Sequence, residues 1–298
     1  MGFLALAGCT HGARVQGQLS GPTLYEQVGF VPASLRESSG LALSRRNPGV
    51  LWSHNDSGDD EIIYATNEAG EELARFDVPG SNHEDWEDIS LGPCPDAERD
   101  CLYIGDVGDN RARRETVDVY VVPEPDVSVT DRGKRGETEQ ALHLRIRYPD
   151  GPKDVEAMAL DSHGRLLFVS KGRRGPIVLY SIDREAMEPE AEIIPRMLGE
   201  LPFAPARQLG RWVTGMAISP NGQTAVVRTY TELYFFKVDI TGTLLPLGDS
   251  CFIGATEPQG EAVDFIDNET VLLTSETIPG RRGPITRVRC DTTAAQDS

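Results

Sequence analysis

The sequence lacks long apolar runs, helical periodicity and the short motifs that mark several common enzyme classes. No run of about 18 or more apolar residues is present, so no segment predicts a membrane-spanning helix. The motifs Gly-x-Ser-x-Gly and His-Glu-x-x-His and the phosphate-binding P-loop are also missing, which leaves a serine-triad hydrolase without support. The best candidate for a helix, residues 183–192, contains Pro189. The sequence therefore predicts an all-β protein.

Basic residues are scarce relative to acidic ones. The chain has 29 Lys and Arg against 47 Asp and Glu, which gives a formal net charge of −18. This charge repels a phosphate backbone, so nucleic acid is excluded as a partner. The acidic excess favours solubility and is also compatible with the binding of cations.

The five cysteines lack the Cys-x-x-Cys spacing that is typical of zinc sites. One of them, Cys9, ends the motif Leu-Ala-Gly-Cys after a short apolar run, which resembles the lipobox of bacterial lipoproteins. This interpretation makes residues 1–9 the remnant of a signal with lipidation at Cys9, and residues 10–22 a flexible tether. A chance occurrence of the motif is the alternative, because no basic residue precedes the apolar run.

The remaining four cysteines allow three pairings, and the sequence alone does not decide between them. A polar turn between two predicted strands separates Cys94 from Cys101, which favours a bridge between these two, and Cys251 and Cys290 then pair by default. Disulfides are typical of proteins outside the cytoplasm. We therefore expect an extracytoplasmic protein, secreted or lipid-anchored, that contacts a membrane only through that anchor.

A short pattern occurs five times, with successive copies 48, 69, 58 and 47 residues apart. Each copy opens a predicted strand, and further apolar strands bounded by Gly, Asn, Asp or Pro follow it. Repeats of this length predict a β-propeller, here five blades in a single domain, residues 23–291, followed by a disordered tail, residues 292–298. A lone strand in residues 24–30 is expected to close the last blade. Six blades are the alternative, with a degenerate blade near residues 130–140, which otherwise predict an exposed excursion.

The first residue of each copy carries a side-chain oxygen. Because the innermost strands of a propeller line its channel, five such side chains are expected to converge. Converging carboxylates repel one another, and a hard cation such as Ca²⁺, which accepts 6–8 oxygen ligands, removes that repulsion. The alternative is that backbone N–H groups satisfy the glutamates without a metal. The predicted ligands are Ser39, Glu87, Glu156, Thr214 and Glu261.

Polar loops follow the second strand of every repeat, and they are expected to open on one face as a funnel. Acidic and basic loops together suit an anionic small molecule held beside a metal. Asp56 and Asp109 are the candidate catalytic residues that would orient a water molecule. The alternative for each residue is a solvated loop. The candidate substrate-binding residues are His54, Asn55, Asp106, Asn110, Lys171, Arg173, Arg228, Tyr230 and Glu276.

The order Ser, Glu, Glu, Thr, Glu resembles the calcium-activated nucleotidase (apyrase) family. Further similarity lies in residues 55–58, 102–105, 173–174 and 274–276, which read Asn-Asp-Ser-Gly, Leu-Tyr-Ile-Gly, Arg-Arg and Thr-Ser-Glu. The resemblance implies a five-bladed propeller with one Ca²⁺ in the central tunnel, held by the five residues named above. Thr214 stands where this family has Ser, and the acidic loop 106–110 departs from the expected substrate contacts.

The chain also resembles secreted bacterial propeller lipoproteins that carry Asp-Trp-Glu-Asp and Gly-Asp-x-Gly-Asp-Asn, here residues 85–88 and 105–110. Two hypotheses follow. The first is a monomeric Ca²⁺-dependent hydrolase of a phosphate-bearing, nucleotide-like substrate. The second is a non-enzymatic propeller in which Ca²⁺ is structural and the funnel binds a surface glycan or protein.

Overall fold

The computed structural model describes residues 20–95, 99–128, 133–189, 191–207 and 210–291. These residues form 23 β-strands and one 3₁₀ turn, Arg184–Ala186. No helix among them is long and apolar enough to cross a membrane. The predicted lipidation site Cys9, most of the predicted tether and the predicted tail lie outside the described residues.

Blades 1 and 2 are five-stranded sheets. From the channel outwards, blade 1 contains β2, β3, β4, β5 and β9, and blade 2 contains β6, β7, β8, β10 and β14. The strands of blade 1 are Ser38–Leu43, Leu51–Asn55, Ile62–Thr66, Glu72–Asp77 and Lys134–Glu137, and those of blade 2 are Trp86–Pro93, Asp100–Asp106, Val117–Pro123, Leu142–Ile146 and Glu192–Ile193.

Blades 3 and 4 follow the same order. Blade 3 contains β11, β12, β13 and β15, and blade 4 contains β16, β17, β18 and β19, with the short β20 also paired to β18. The strands of blade 3 are Val155–Leu160, Leu166–Ser170, Val178–Ile182 and Arg196–Glu200, and those of blade 4 are Val213–Ile218, Thr224–Thr229, Glu232–Val238, Leu244–Pro246 and Cys251–Phe252.

Blade 5 contains β21, β22, β23 and the N-terminal β1, which are Gly260–Phe265, Thr270–Ser275, Pro284–Arg289 and Leu24–Phe30. β1 pairs antiparallel with β23, so the N-terminal strand closes the propeller as predicted. Closure leaves no open edge between the first and last blades. The described residues form five blades, and the alternative of six is wrong.

Two outer strands come from a neighbouring part of the chain. β9 returns to blade 1 and pairs parallel with β5, and β14 pairs parallel with β10 of blade 2. The expected excursion within blade 2 is therefore partly a strand that covers the outer edge of blade 1. Covering an edge in this way protects its backbone groups from pairing with another chain.

Apolar side chains pack in layers between adjacent blades, and each of the five interfaces has its own cluster. Trp52 and Trp86, both fully buried, lie in the layer between blades 1 and 2. Both predicted disulfides are confirmed. Cys94–Cys101 bridges the hairpin of β6 and β7, and Cys251–Cys290 joins blade 4 to blade 5.

Candidate functional site: an acidic centre at the mouth of the channel

The five residues at the head of the repeated pattern occupy equivalent positions. In every innermost strand the pairing register with the second strand shifts at the same place, and the shift encloses the residue in question. A β-bulge redirects a side chain and bends the strand. The bulges thus set Ser39, Glu87, Glu156, Thr214 and Glu261 at one end of the channel, where the predicted funnel opens.

The small second residue of the pattern allows adjacent blades to meet closely. A Cβ atom on Gly40 would lie 2.5 Å from the backbone N of Ile89, and one on Gly215 would lie 2.7 Å from the backbone O of Glu261. Ser39 Oγ donates to the carbonyl of Glu87 (2.8 Å), and Thr214 Oγ1 donates to that of Glu261 (3.0 Å). These two hydroxyls therefore link adjacent blades, and their role as metal ligands stays a prediction.

Lys171, from the loop after β12, lies among the glutamates. Its Nζ is 2.5 Å from Glu156 Oε2, and both side chains are buried. Burial lowers the pKa of Lys171, but Glu156, Tyr230, Glu87 and Glu261 outweigh that effect, and the net shift is upward. Lys171 is therefore a charged ammonium that offsets part of the negative charge of these glutamates.

Five carboxylates form two overlapping clusters that share Glu87, and we call the two clusters together the acidic centre. The outer cluster is Asp56, Asp85 and Glu87, and the inner cluster is Glu87, Asp154 and Glu156. In each cluster the chosen carboxylate oxygens lie within 4.8 Å of one another. The three inner residues are buried, whereas Asp56 and Asp85 are partly exposed to the funnel. Glu156 Oε1 and Asp154 Oδ2 are buried without a hydrogen-bond partner.

The backbone around Gly108 forms the wall of the outer cluster. A Cβ atom there would lie 2.3 Å from Glu87 Oε1 and 2.5 Å from Asp85 Oδ2, so only glycine lets both carboxylates approach. The next amide, Asp109 N–H, donates to Asp154 Oδ1 (3.2 Å). The loop after β7 thus positions carboxylates of both clusters.

The clusters hold negative charge in a poorly solvated place. Burial, reinforced by Asp56 and Asp154, raises the pKa of Asp85 to about 7. Burial also raises the pKa of Asp56 and, together with Glu156 and Asp56, raises that of Glu87 well above its ordinary value. Crowded carboxylates either keep protons or take up a cation, and the arrangement is suited to both.

The acidic side chains of the loop after β7 accept hydrogen bonds from groups within the protein. Asp106 accepts the N–H groups of Glu84 and Asp85 and pairs with Arg114 Nη1 (2.7 Å). Asp109, a candidate catalytic residue, is buried and accepts the N–H of Arg114 (2.7 Å). The structure therefore gives both residues a part in shaping the loop. Asp56 is the candidate catalytic residue that reaches the acidic centre.

The two candidate arginines differ in exposure. Arg228 is fully buried, donates to the carbonyls of Ala262 and Thr274 and pairs with Glu257, so its guanidinium joins blades 4 and 5. Arg173 instead lies at the rim of the funnel.

The Arg173 side chain is 25% exposed and its Nη1 is 3.6 Å from Asp154 Oδ2. The same guanidinium bonds Asn110 and stacks over Trp212, with 5.0 Å from Cζ to the ring centroid. Of the two candidate arginines, Arg173 is the one whose side chain is partly exposed.

Three other candidate residues also have protein partners. His54 is fully buried, and burial lowers its pKa to about 4, so its ring is neutral near pH 7. Asn55 accepts the N–H of Glu37 (2.9 Å) and donates to the carbonyl of Ser34 (3.0 Å), which orders the loop after β3. Glu276 accepts a bond from Gln259, which also donates to Glu261 Oε1 (2.9 Å).

Sequence reasoning missed Asp85 and Asp154, although a signal was present. Asp85-Trp86-Glu87 and Asp154-Val155-Glu156 repeat one Asp-x-Glu motif at equivalent places in blades 2 and 3. Each Asp lies directly before the strand, two residues ahead of the Glu at the bulge, so the repeated motif predicts a pair of carboxylates at the same end of the channel in both blades. It distinguishes these two blades from the other three.

Comparisons with known proteins add little beyond the fold. No protein-family model matches the chain, and no curated protein matches it in sequence. One similar solved structure is the PQQ-bound form of an aldose sugar dehydrogenase from Streptomyces coelicolor, with a TM-score of 0.48 and 14% identity. The match covers 90% of this chain and 98% of that one. The five-bladed fold expected from the resemblance is confirmed, whereas none of these comparisons matches the chain to the calcium-activated nucleotidases.

Proposed function

We propose that the chain is an extracytoplasmic Ca²⁺-binding β-propeller, with the ion held at the mouth of the channel by Asp56, Asp85 and Glu87. The observation that carries this proposal is the approach of their carboxylate oxygens to within 4.8 Å of one another. Oxygens on opposite sides of a Ca²⁺ ion are separated by about 4.8 Å, twice a metal–oxygen distance of about 2.4 Å. Ca²⁺ also tolerates the irregular ligand geometry of a loop site better than Mg²⁺ does.

The outer cluster suits an ion better than the inner one. An ion among Glu87, Asp154 and Glu156 would face the Lys171 ammonium, which is 2.5 Å from Glu156 Oε2. The ion and the Lys171 ammonium would repel each other strongly, because both positive charges would be buried. The outer cluster lies towards the funnel, so solvent or a bound ligand completes the coordination shell there. The two disulfides support an oxidising compartment.

Thermal unfolding with and without Ca²⁺ tests the proposal. A ligand that binds only the folded state stabilises it by about 2.7 kcal/mol at a hundredfold excess over its Kd. We expect Ca²⁺ to raise the Tm of the full chain and the double variant D56N/D85N to lose that rise. The control D77N/E139Q removes two exposed carboxylates that pair with Arg135 and Arg99, and it should keep the full Ca²⁺ response. An equal Tm with Ca²⁺ and with chelator would rule out the site.

The position of Arg173 favours a second candidate function, the Ca²⁺-dependent hydrolysis of a phosphate-bearing substrate. Arg173 is partly exposed beside Asp154, whose cluster shares Glu87 with the outer cluster, and we place a ligand phosphate between this guanidinium and the ion. In this proposal Arg173 neutralises the anion and Asp56 orients the attacking water, and a Ca²⁺ ion held by the outer cluster would supply polarisation of a phosphoryl oxygen.

A screen with Ca²⁺ separates the two candidates. Nucleoside di- and triphosphates, pyrophosphate and phosphomonoesters are offered to the full chain, to R173M and to D56N. Turnover by the full chain that both variants lose supports hydrolysis. Ca²⁺ binding without turnover of any of these compounds leaves the non-enzymatic alternative, a structural ion beneath a funnel that binds a glycan or protein.

A further inference from the structure

A cavity of about 510 Å³ opens at the other end of the channel. The funnel lies at the starts of the innermost strands, whereas this cavity is lined by their later residues and by the loops that follow. All five blades contribute apolar side chains to its wall, among them Leu43, Leu91, Leu160, Ile218 and Phe265. We call this cavity the vestibule. A cavity of this size, with apolar side chains beside a few polar groups such as Ser44, Arg45 and Asp264, is typical of a small-molecule site.

One carboxylate, Asp264, lies in the wall of the vestibule without an ion-pair partner among the described residues. Its Oδ2 accepts the N–H of Leu43 (2.6 Å), and its Oδ1 accepts the N–H of Phe265 (2.7 Å). Arg45, the basic residue that lines the same cavity, is 59% exposed in its side chain and lies 3.6 Å from Asp100. Arg45 attracts the Asp264 carboxylate without forming a direct ion pair with it, so the negative charge of Asp264 is hydrogen-bonded and only partly offset.

A second carboxylate, Asp88, separates the vestibule from the acidic centre. It is fully buried and accepts the N–H groups of Ile89 (2.9 Å) and, from the adjacent blade 3, of Met158 (2.8 Å). Asp88 and Asp264 interact electrostatically. Burial raises the pKa of Asp88 well above its ordinary value, so Asp264 supplies the negative charge at the inner end of the vestibule.

We propose that the vestibule binds a small organic cation, with its ammonium group on Asp264 and a short apolar body against the leucine and isoleucine side chains. A cation bound at Asp264 makes the direct ion pair that Arg45 does not make, and an apolar body releases water from the apolar part of the wall. An anion is repelled by the Asp264 carboxylate, and a neutral compound gains only the apolar contacts.

Calorimetric titration of the full chain with n-hexylammonium, 1-hexanol and hexanoate tests the proposal. The titration is carried out at pH 8, where Asp264 is ionised because burial raises its pKa only to about 7. Saturating Ca²⁺ is present so that the ion, and not hexylammonium, occupies the outer cluster at the funnel. We expect one site that prefers hexylammonium to hexanol by about tenfold or more, the effect of a hydrogen bond to a charged group, and no binding of hexanoate. The D56N/D85N variant should bind hexylammonium unchanged.

Two variants locate the site. D264N should lose the preference for the ammonium over the alcohol, whereas I218W, which fills the cavity and keeps the carboxylate, should weaken both compounds together. If D264N fails to fold, I218W decides alone. In the full chain, the proposal is overturned by equal affinities for the two compounds or by the absence of any heat of binding. Among the variants, it is overturned by an ammonium preference that D264N retains, by unchanged binding in I218W, or by loss of binding in D56N/D85N.

Discussion

Glu87 is the residue on which the acidic centre depends, because its carboxylate belongs to both clusters. We predict that E87Q abolishes the rise of Tm with Ca²⁺. An amide is a weaker ligand than a carboxylate and leaves one negative charge fewer. The matched control is E124Q. Glu124 is another buried glutamate, which accepts the Trp52 indole N–H (2.8 Å) and belongs to neither cluster. A full Ca²⁺ response in E87Q would contradict the assignment.

Gly108 offers a test that leaves every charge in place. We predict that G108A weakens Ca²⁺ binding about tenfold or more, because its methyl group displaces Glu87 and Asp85 from the positions in which they face one another. The comparison is G21A, where an added Cβ meets nothing within 4 Å. Titration with Ca²⁺ measures both. Equal affinities in the two variants would show that the loop after β7 does not form the wall of the site.

At the scale of residues, the sequence predicted positions better than partners. The recurrence of Glu87, Glu156 and Glu261 at one place in the repeat was enough to place them at one end of the channel. The sequence did not reveal that Lys171 pairs with Glu156, or that Arg228 pairs with Glu257. These pairs form between segments whose approach depends on the closure of the whole ring.

The two disulfides differ in what they constrain among the elements. Cys94 and Cys101 are 7 residues apart within one hairpin, whereas Cys251 and Cys290 are 39 apart and join two blades. On the chain-entropy estimate the longer loop contributes about 4 kcal/mol and the shorter one about 2.5 kcal/mol. We therefore predict that C251S/C290S lowers the free energy of unfolding more than C94S/C101S does, as measured by denaturant titration. The reverse order would show that strand pairing, not the bridge, holds blades 4 and 5 together.

At the scale of elements, the repeat predicted the inner three strands of each blade and the role of β1 in closure. It did not predict β9 or β14, which leave one blade and pair with another. Local patterns carry the alternation of a strand but not the identity of its neighbour, and these short strands gain most of their stability from the sheet that they join.

The molecule as a whole gathers carboxylates whose pKa is raised on folding, and this gives its stability a pH dependence. Asp85 and Asp264 both shift from 3.8 to about 7, chiefly through burial. Between these values the folded state binds more protons than the unfolded state, so without Ca²⁺ the free energy of unfolding falls as the pH rises from about 4 to about 7. The pKa of His54 is lowered from 6.5 to about 4, so this single group makes the free energy of unfolding rise as the pH rises between these values.

We predict that Ca²⁺ stabilises the chain more at pH 8 than at pH 5, because protons compete with the ion for the outer cluster. Thermal unfolding at the two pH values, each with chelator and with excess Ca²⁺, measures the difference. Without Ca²⁺ the Tm should be lower at pH 8 than at pH 5. A Ca²⁺ effect that is equal at both values, or larger at pH 5, would contradict the carboxylate site.

The most direct measurement of the central claim is a crystal structure of the full chain grown with Ca²⁺. The account predicts an ion at the mouth of the channel, bound by Asp56, Asp85 and Glu87 at about 2.3–2.6 Å, with further oxygen ligands on the funnel side. It also predicts that Lys171 stays on Glu156. A channel that holds only water, or an ion that displaces Lys171 and sits between Asp154 and Glu156, would contradict it.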